Sequence, residues 1–197
     1  MSVRGVLQVH SAPPALCPHI EWAVAGIIGA PVRLSWVDQP ASPGTLRAEL
    51  DWRARPGTSA TITSALAAWH RLRFEVTEEA SPGCDAVRYS YTPTLGTFSA
   101  VTSACGDILI PEGRLRAAML LAAASAPGAA GRSQGGGPAA SDHLDSLRDA
   151  HGPRHPALGG SLEAELGLLL GQPWDDELEP FRHAADGAPV RWLHATG

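Results

Sequence analysis

The sequence predicts an α+β protein built on a ferredoxin-like βαββαβ core that is extended by additional antiparallel strands. With 197 residues, of which 44% are hydrophobic, the chain can bury a core without a disulfide or a structural metal. From Val3 to Glu79 the spacing of apolar residues switches between about two and about 3.6 residues, which gives the order strand, helix, strand, strand, helix, strand. The ferredoxin-like sandwich is the simplest fold with that order.

The first strand and the first helix have the clearest patterns. Val3, Leu7 and Val9 alternate with mostly polar residues, so one face of this strand is apolar and can cover a core. After two prolines, apolar residues recur at helical spacing over residues 16–28. Gly29 then predicts the end of the helix.

A hairpin, a second helix and a fourth strand complete the predicted core. Apolar residues alternate over 32–36 and again over 46–52, with the turn sequence DQPASPG between them. Pro56 opens a helix whose apolar stripe ends at Trp69, and alternation over 72–76 predicts the fourth strand. Both helices are expected on one face of the sheet.

The other face of the predicted sheet is polar. Strand alternation gathers on it side chains from the first and third strands, namely Arg4, Gln8, His10, Arg47, Glu49 and Asp51. Three outcomes are open for this face: it is solvated, it is covered by the C-terminal segment, or it is a binding surface. Mixed charge on a sheet face is usually solvated or paired, so the pattern alone does not choose between them.

Further strands and a helix follow the core. Segments 87–92, 96–102 and 106–110 are strand-like and extend the sheet, and a helix is predicted from Pro111 to about Ser125. Residues 1–125 therefore form the predicted sandwich core.

The remainder of the chain divides into two parts. Residues 126–159 are rich in small and polar residues, with too few large apolar ones to bury against a core, and predict a disordered low-complexity insertion. Residues 160–197 are expected to pack on the same domain. They contain a helix capped by Ser161, a second helix that starts at Pro173, and a closing strand over 190–194.

Composition excludes several classes of function. All 15 basic residues are arginine, which excludes a phosphate-binding Walker lysine and a Schiff-base lysine. The arginines are scattered among 20 acidic residues, with a net charge of -5, which argues against nucleic-acid binding. No segment has the pattern of a signal peptide or a transmembrane helix, so a cytoplasmic protein without membrane contact is expected. The 3 cysteines are widely spaced and are expected to be reduced thiols.

Residues 4–29 concentrate the side chains best suited to chemistry. A strand end, a proline turn and a helix start bring together His10, Ser11, Cys17, His19, Glu21 and Trp22. Four of these are zinc-ligand types, but Cys17 and His19 are two residues apart and would point about 200° away from each other on an ideal helix. The objection weakens only if the helix begins at Pro18. Neither a metal nor another cofactor is predicted.

A second hypothesis makes Cys17 a nucleophile. A thiol at a helix N-terminus has a lowered pKa, and His10 or His19 could serve as its base. The competing interpretation is a buried, unreactive thiol. An anion held by backbone N–H groups at the start of this helix is a third interpretation. In an enzyme built on this turn, Arg88 or Arg182 could hold an anionic group.

Three other features are interpreted as structural. The acidic run that begins at Asp175 is explained by the helix dipole in preference to an acid/base or magnesium site, and Trp174 is expected to anchor that helix. Tyr89 and Tyr91 are expected to pack in the core. Among the tryptophans, Trp22 is the one that leaves the apolar stripe of its helix.

A resemblance to a known family covers about residues 3–124 and 161–194. Seven segments in order resemble the actinobacterial family called domain of unknown function 3145: RGVLQVHSAP, CPHIEWA, RLRFEVTEE, RYSYTPTLG, GDILIPE, GQPWDDELEPFR and DGAPVRWLH. The resemblance implies no reaction, cofactor or catalytic residue, because the family has none assigned. It implies an accessory role in fatty-acid metabolism, and it implies that residues 126–159 do not carry the shared function.

These observations favour a non-catalytic regulatory or adaptor protein that binds a protein partner or a small ligand, for which an anion is one candidate. The alternative is an enzyme of unknown reaction that uses His10, Cys17, His19 and Glu21 at the first strand-to-helix turn. The sequence leaves the oligomeric state open.

Overall fold

A seven-stranded antiparallel sheet forms the centre of the structure, a computed structural model that describes residues 2–125 and 161–183. The strands in chain order are β1 (Val3–Ala12), β2 (Val37–Asp38), β3 (Leu46–Ala54), β4 (Arg73–Glu78), β5 (Ala86–Thr92), β6 (Gly96–Thr102) and β7 (Ile108–Leu109). Their order across the sheet is β2, β3, β1, β4, β5, β6, β7, and each neighbouring pair is antiparallel. The α+β class and the added antiparallel strands are thereby confirmed.

Five helices accompany the sheet in the described part of the chain. They are α1 (Cys17–Ile28), α2 (Thr58–Ala67), α3 (Glu112–Ser125), α4 (Leu162–Leu170) and α5 (Gln172–His183). Two predicted helix ends are confirmed in detail. Gly29 ends α1 with a left-handed backbone at φ 77°, and the Ser161 Oγ accepts a hydrogen bond from the Ala164 N–H at 3.3 Å at the start of α4.

The main core lies between one face of the sheet and helices α1 and α2. Strand β1 contributes Val3, Leu7 and Val9 to it, as the alternation predicts. The rings of Phe74 and Tyr91 stack there with their centroids 5.1 Å apart, which confirms that Tyr91 packs in the core. Removal of these side chains from water is the main stabilisation of this layer.

Helix α5 lies on the opposite face of the sheet and covers part of it. Trp174 of α5 is 2% exposed, and its ring lies 5.2 Å from that of Phe98, between centroids. The Trp174 Nε1–H donates a hydrogen bond to the Gly96 carbonyl oxygen at 3.0 Å, so the anchoring role expected for this residue is confirmed. Over β3 the same face stays exposed at Glu49, Asp51 and Arg53.

The predicted strand over residues 32–36 is wrong. The Leu34 backbone N–H donates to the Glu21 carboxylate at 2.9 Å, and the Trp36 Nε1–H donates to the same oxygen at 3.1 Å. The apolar side chains of this segment still pack against the core, but its backbone is not part of the sheet. The residues that pair with β3 are the next two, Val37 and Asp38.

The second helix is shorter than predicted and is capped by a distant carboxylate. It begins at Thr58, and the buried Glu78 at the end of β4 accepts hydrogen bonds from the N–H groups of Gly57 at 2.7 Å and Ser59 at 2.9 Å.

The predicted insertion over 126–159 and the closing strand over 190–194 lie outside the described residues. Among the described helices, none has the length and apolar character needed to cross a membrane.

Candidate functional site

A partly buried group of charged side chains lies where α5 crosses the sheet. We call it the Glu75 cluster, and its members are His10 of β1, Glu75 of β4, Arg88 of β5, and Asp175 and Arg182 of α5. The first three occupy positions of their strands that face away from α1 and α2. The cluster therefore lies on the polar face of the sheet that the sequence predicts.

The Glu75 carboxylate is the centre of this cluster. It accepts hydrogen bonds from the His10 Nε2 at 2.8 Å, from Nε and Nη2 of Arg182 at 2.8 and 2.7 Å, and from Nη2 of Arg88 at 2.7 Å. The Ser90 Oγ donates a further hydrogen bond at 3.2 Å. With its side chain 7% exposed, Glu75 exchanges its water shell for these donors.

Asp175 provides a second negative charge opposite Arg88 and Arg182. Its carboxylate accepts hydrogen bonds from the guanidinium groups of Arg88 and Arg182, the latter at 2.7 Å. Two carboxylates thus face two guanidinium groups, and the carboxylate of Glu179 also lies 3.5 Å from Nη1 of Arg182. Balanced pairing is what makes buried charge tolerable, because an unpaired charge in this position costs several kcal/mol, of order 3–5.

The pairing shifts the ionisation of the central groups. Burial alone would raise the pKa of Glu75, but the hydrogen bonds from His10 and Arg182 and the charges of Arg182 and Arg88 outweigh it and hold that pKa well below the usual range. Burial likewise opposes the charge on Arg182, yet the contacts with Glu75 and Asp175 raise its pKa. Glu75 is therefore a firmly ionised structural carboxylate, since all its contacts favour the charged form.

Gln39 adds a second link between α5 and the sheet. The residue is 1% exposed, and its Nε2 donates to the carbonyl oxygens of His10 at 2.6 Å and Phe181 at 3.2 Å. Phe181 is also covered by the guanidinium of Arg73, which lies 4.6 Å from the ring centroid. The C-terminal turn of α5 is thus held by both charged and neutral contacts.

The structure brings together three of the eight residues singled out in the sequence, namely His10, Arg88 and Arg182. The remaining five lie elsewhere: Ser11, whose Oγ donates to the Thr45 Oγ1 at 3.1 Å, and Cys17, His19, Glu21 and Trp22 on α1. The two arginines hold carboxylates of the chain itself, so neither guanidinium is an unoccupied anion-binding group.

Cys17 and its neighbours on α1 do not form a constellation with His10. Cys17 is buried in the main core, on the other side of the sheet from the Glu75 cluster, and burial raises the pKa of its thiol. Since α1 begins at Cys17 itself, the arrangement that would turn Cys17 and His19 to one side is not present. His19 is exposed, and Glu21 holds the backbone of Leu34.

Trp22 and the acidic run have different environments. Trp22 is 79% exposed, in line with its place off the apolar stripe. Asp175 lies in the first turn of α5, as predicted, but its contacts with two arginines give it a pairing role that the dipole interpretation omits.

Across residues 2–125 and 161–183, no three His, Cys, Asp or Glu side chains are grouped closely enough to hold a metal ion.

Two open clefts lie on the polar face of the sheet. The first has a volume of about 450 Å³ and adjoins the Glu75 cluster; we call it the Arg47 cleft, and its lining includes Gln8, His10, Arg47, Glu49, Phe181 and Arg182. The second has a volume of about 460 Å³ and lies toward the start of β1, beside Arg4, Asp51 and Glu79. Two of the three outcomes foreseen for this face occur, because α5 covers one part and solvated charges such as Glu49, Asp51 and Arg53 occupy the other.

The sequence reasoning missed Glu75, Asp175 as an ion-pair partner, and Gln39. One signal was present for Glu75, because it alternates with Phe74 and Val76 and therefore falls on the polar face of its strand. The polar face was predicted from the first and third strands only. Including the fourth strand in the same face would have placed Glu75 beside His10. Gln39 lies in a predicted turn, where no periodic pattern indicates burial.

Comparisons with known proteins place the chain in a family. A model of the family described as "Protein of unknown function (DUF3145)" matches residues 6–155 and 145–195. Searches of curated proteins and of solved structures gave no match. The two matched ranges span nearly the whole sequence, and the chain therefore belongs to the DUF3145 family of proteins of unknown function.

Proposed function

We propose that the protein is a non-catalytic regulatory or adaptor protein, and that the Arg47 cleft is where it binds a protein partner or a small ligand. The observation that carries the proposal is the position of this open cleft against the Glu75 cluster, whose charged side chains are paired with one another. Concave sites of about 300–1,000 Å³ with a few fixed polar groups are typical of small-ligand binding, and the cleft measures about 450 Å³.

Pairing within the Glu75 cluster supports binding over catalysis. The alternative enzyme needs His10 or His19 as the base for Cys17. His10 is hydrogen-bonded to Glu75 on the other side of the sheet from Cys17, and His19 does not share a side of α1 with Cys17. A nucleophilic cysteine needs a lowered pKa, and burial raises that of Cys17. Neither requirement of the alternative enzyme finds support.

We also propose that β1 to β4 with α1 and α2 form a ferredoxin-like unit. The sheet order β2, β3, β1, β4 and the placement of both helices against one core support this. A cytoplasmic location stays a prediction from the sequence. An actinobacterial source and an accessory role in fatty-acid metabolism stay expectations from the family resemblance.

A capture experiment with a blocked cleft tests the binding proposal. Ser35 is exposed at the cleft, so Ser35→Trp should fill it without disturbing the core. Ser99→Trp is the matched control, because Ser99 is exposed on the opposite face of the sheet. We expect mass spectrometry to find a stoichiometric protein or small molecule with the wild type and with Ser99→Trp, but not with Ser35→Trp. Equal capture by all three proteins would contradict the assigned site, and no capture by any would contradict the function.

A further inference from the structure

We propose that the Arg47 cleft binds the carboxylate of a small organic acid, and that Arg47 is the residue that holds it. The inference rests on the proposed function, because it names the class of ligand for the same cleft.

Arg47 differs from the other arginines of this region in its partners. Its Nε is buried but has no hydrogen-bond partner among the described residues, and no carboxylate of that part of the chain forms an ion pair with it. By contrast, Arg73, Arg88 and Arg182 each pair with a carboxylate. The guanidinium charge of Arg47 thus has no carboxylate partner among the described residues, and a ligand in the cleft could pair with it through the Nη groups.

The chemistry of a guanidinium favours a carboxylate at this position. The two Nη groups of arginine present a planar fork of N–H donors that matches the two oxygens of a carboxylate, and charge-assisted hydrogen bonds of this kind are among the strongest in proteins. Arg47 lies on β3, a paired strand of the sheet, so its backbone is fixed before the ligand arrives.

The neighbouring wall of the cleft is already ordered. Arg182 and His10 line it, and both are held by Glu75 through contacts of 2.7 to 2.8 Å. A ligand therefore does not have to immobilise these side chains, which reduces the entropy lost on binding.

Charge and shape limit the ligand to a single negative charge beside an apolar part. Glu49 lines the same cleft, so a doubly charged phosphate would meet about twice the repulsion from this carboxylate that a monocarboxylate meets. Val37 and Phe181 provide apolar surface next to the charged groups, and Val37 is 49% exposed. A compact acid such as an aromatic or short aliphatic carboxylate fits these conditions.

Titration of the full chain with defined probes tests the inference. We expect benzoate and butanoate to bind saturably and to shift the NMR signal of the Arg47 Nε–H group, whereas benzamide, the neutral analogue of benzoate, should not. Arg47→Gln should weaken benzoate binding about tenfold or more, since a charge-assisted pair is lost. Arg53→Gln is the matched control, because Arg53 is exposed on the same strand and outside the cleft, and it should leave the affinity unchanged.

Three results would overturn the inference. They are equal binding of benzamide, stronger binding of inorganic phosphate than of benzoate, and no saturable binding of either acid up to about 50 mM. The proposed function would survive each of them if Ser35→Trp still abolished capture of another ligand or of a protein partner. It would fall together with the inference only if nothing bound at this cleft.

Discussion

Replacement of Glu75 by glutamine gives the sharpest test of how α5 is held. The substitution keeps the shape of the side chain but removes the charge that faces Arg88, Arg182 and His10. Breaking a buried ion pair costs about 3–5 kcal/mol. Because the side chains of both arginines are 22% exposed and Asp175 remains to pair with them, we expect the lower end, about 3 kcal/mol. For a chain of this size, that loss lowers Tm by about 6–12 °C.

The assay is urea denaturation followed by tryptophan fluorescence, in which Trp174 reports the contact of α5 with the sheet. Glu49→Gln provides the control, because Glu49 is exposed and its carboxylate accepts only a long hydrogen bond, of 3.5 Å from the Gln8 Nε2, among the described residues. Its effect should stay within about 0.5 kcal/mol. A loss below about 1 kcal/mol for Glu75→Gln would refute the view that paired charge holds this helix.

Two further predictions concern acid stability and the thiols. The folded pKa of Glu75 is lowered, so its contribution to the free energy of unfolding is present above the ordinary glutamate pKa of about 4.3 and is lost as the pH falls below it. The stability difference between wild type and Glu75→Gln should therefore shrink between about pH 5 and pH 3, and a constant difference over that range would contradict the assignment. In thiol labelling at neutral pH, the exposed Cys84 and Cys105 should react rapidly and the buried Cys17 only after unfolding; three equally fast thiols would show that Cys17 is accessible.

The spacing of apolar residues correctly predicted those strands and helices in which the backbone conformation agrees with the pattern of buried side chains. Residues 3–12 and 17–28 are of this kind, because their apolar faces meet the same core and a glycine ends the helix. Segment 32–36 shows the limit of that reasoning. Its alternate side chains are buried as predicted, but the Glu21 carboxylate accepts the Leu34 N–H that a sheet neighbour would otherwise have bound.

The candidate site could be predicted from the sequence only in part, for a different reason. A single sequence is enough to identify His10, Arg88 and Arg182 as candidate binding residues from their side-chain types. The burial of Glu75, in contrast, depends on α5, which follows it by about a hundred residues. Alternation shows which face of β4 Glu75 occupies and not what covers that face. The same applies to Asp175, whose place in a first helical turn has a sufficient local explanation in the dipole.

The long sequence separation inside the Glu75 cluster has a consequence for folding. Arg182 and Glu75 are 107 positions apart, whereas β4 and β5 are neighbours along the chain. Closing so large a loop costs chain entropy before any contact offsets it, so local pairs form sooner than distant ones. We therefore expect the sheet with α1 and α2 to assemble first and α5 to dock last, which makes the wall of the Arg47 cleft the final part of the molecule to become ordered.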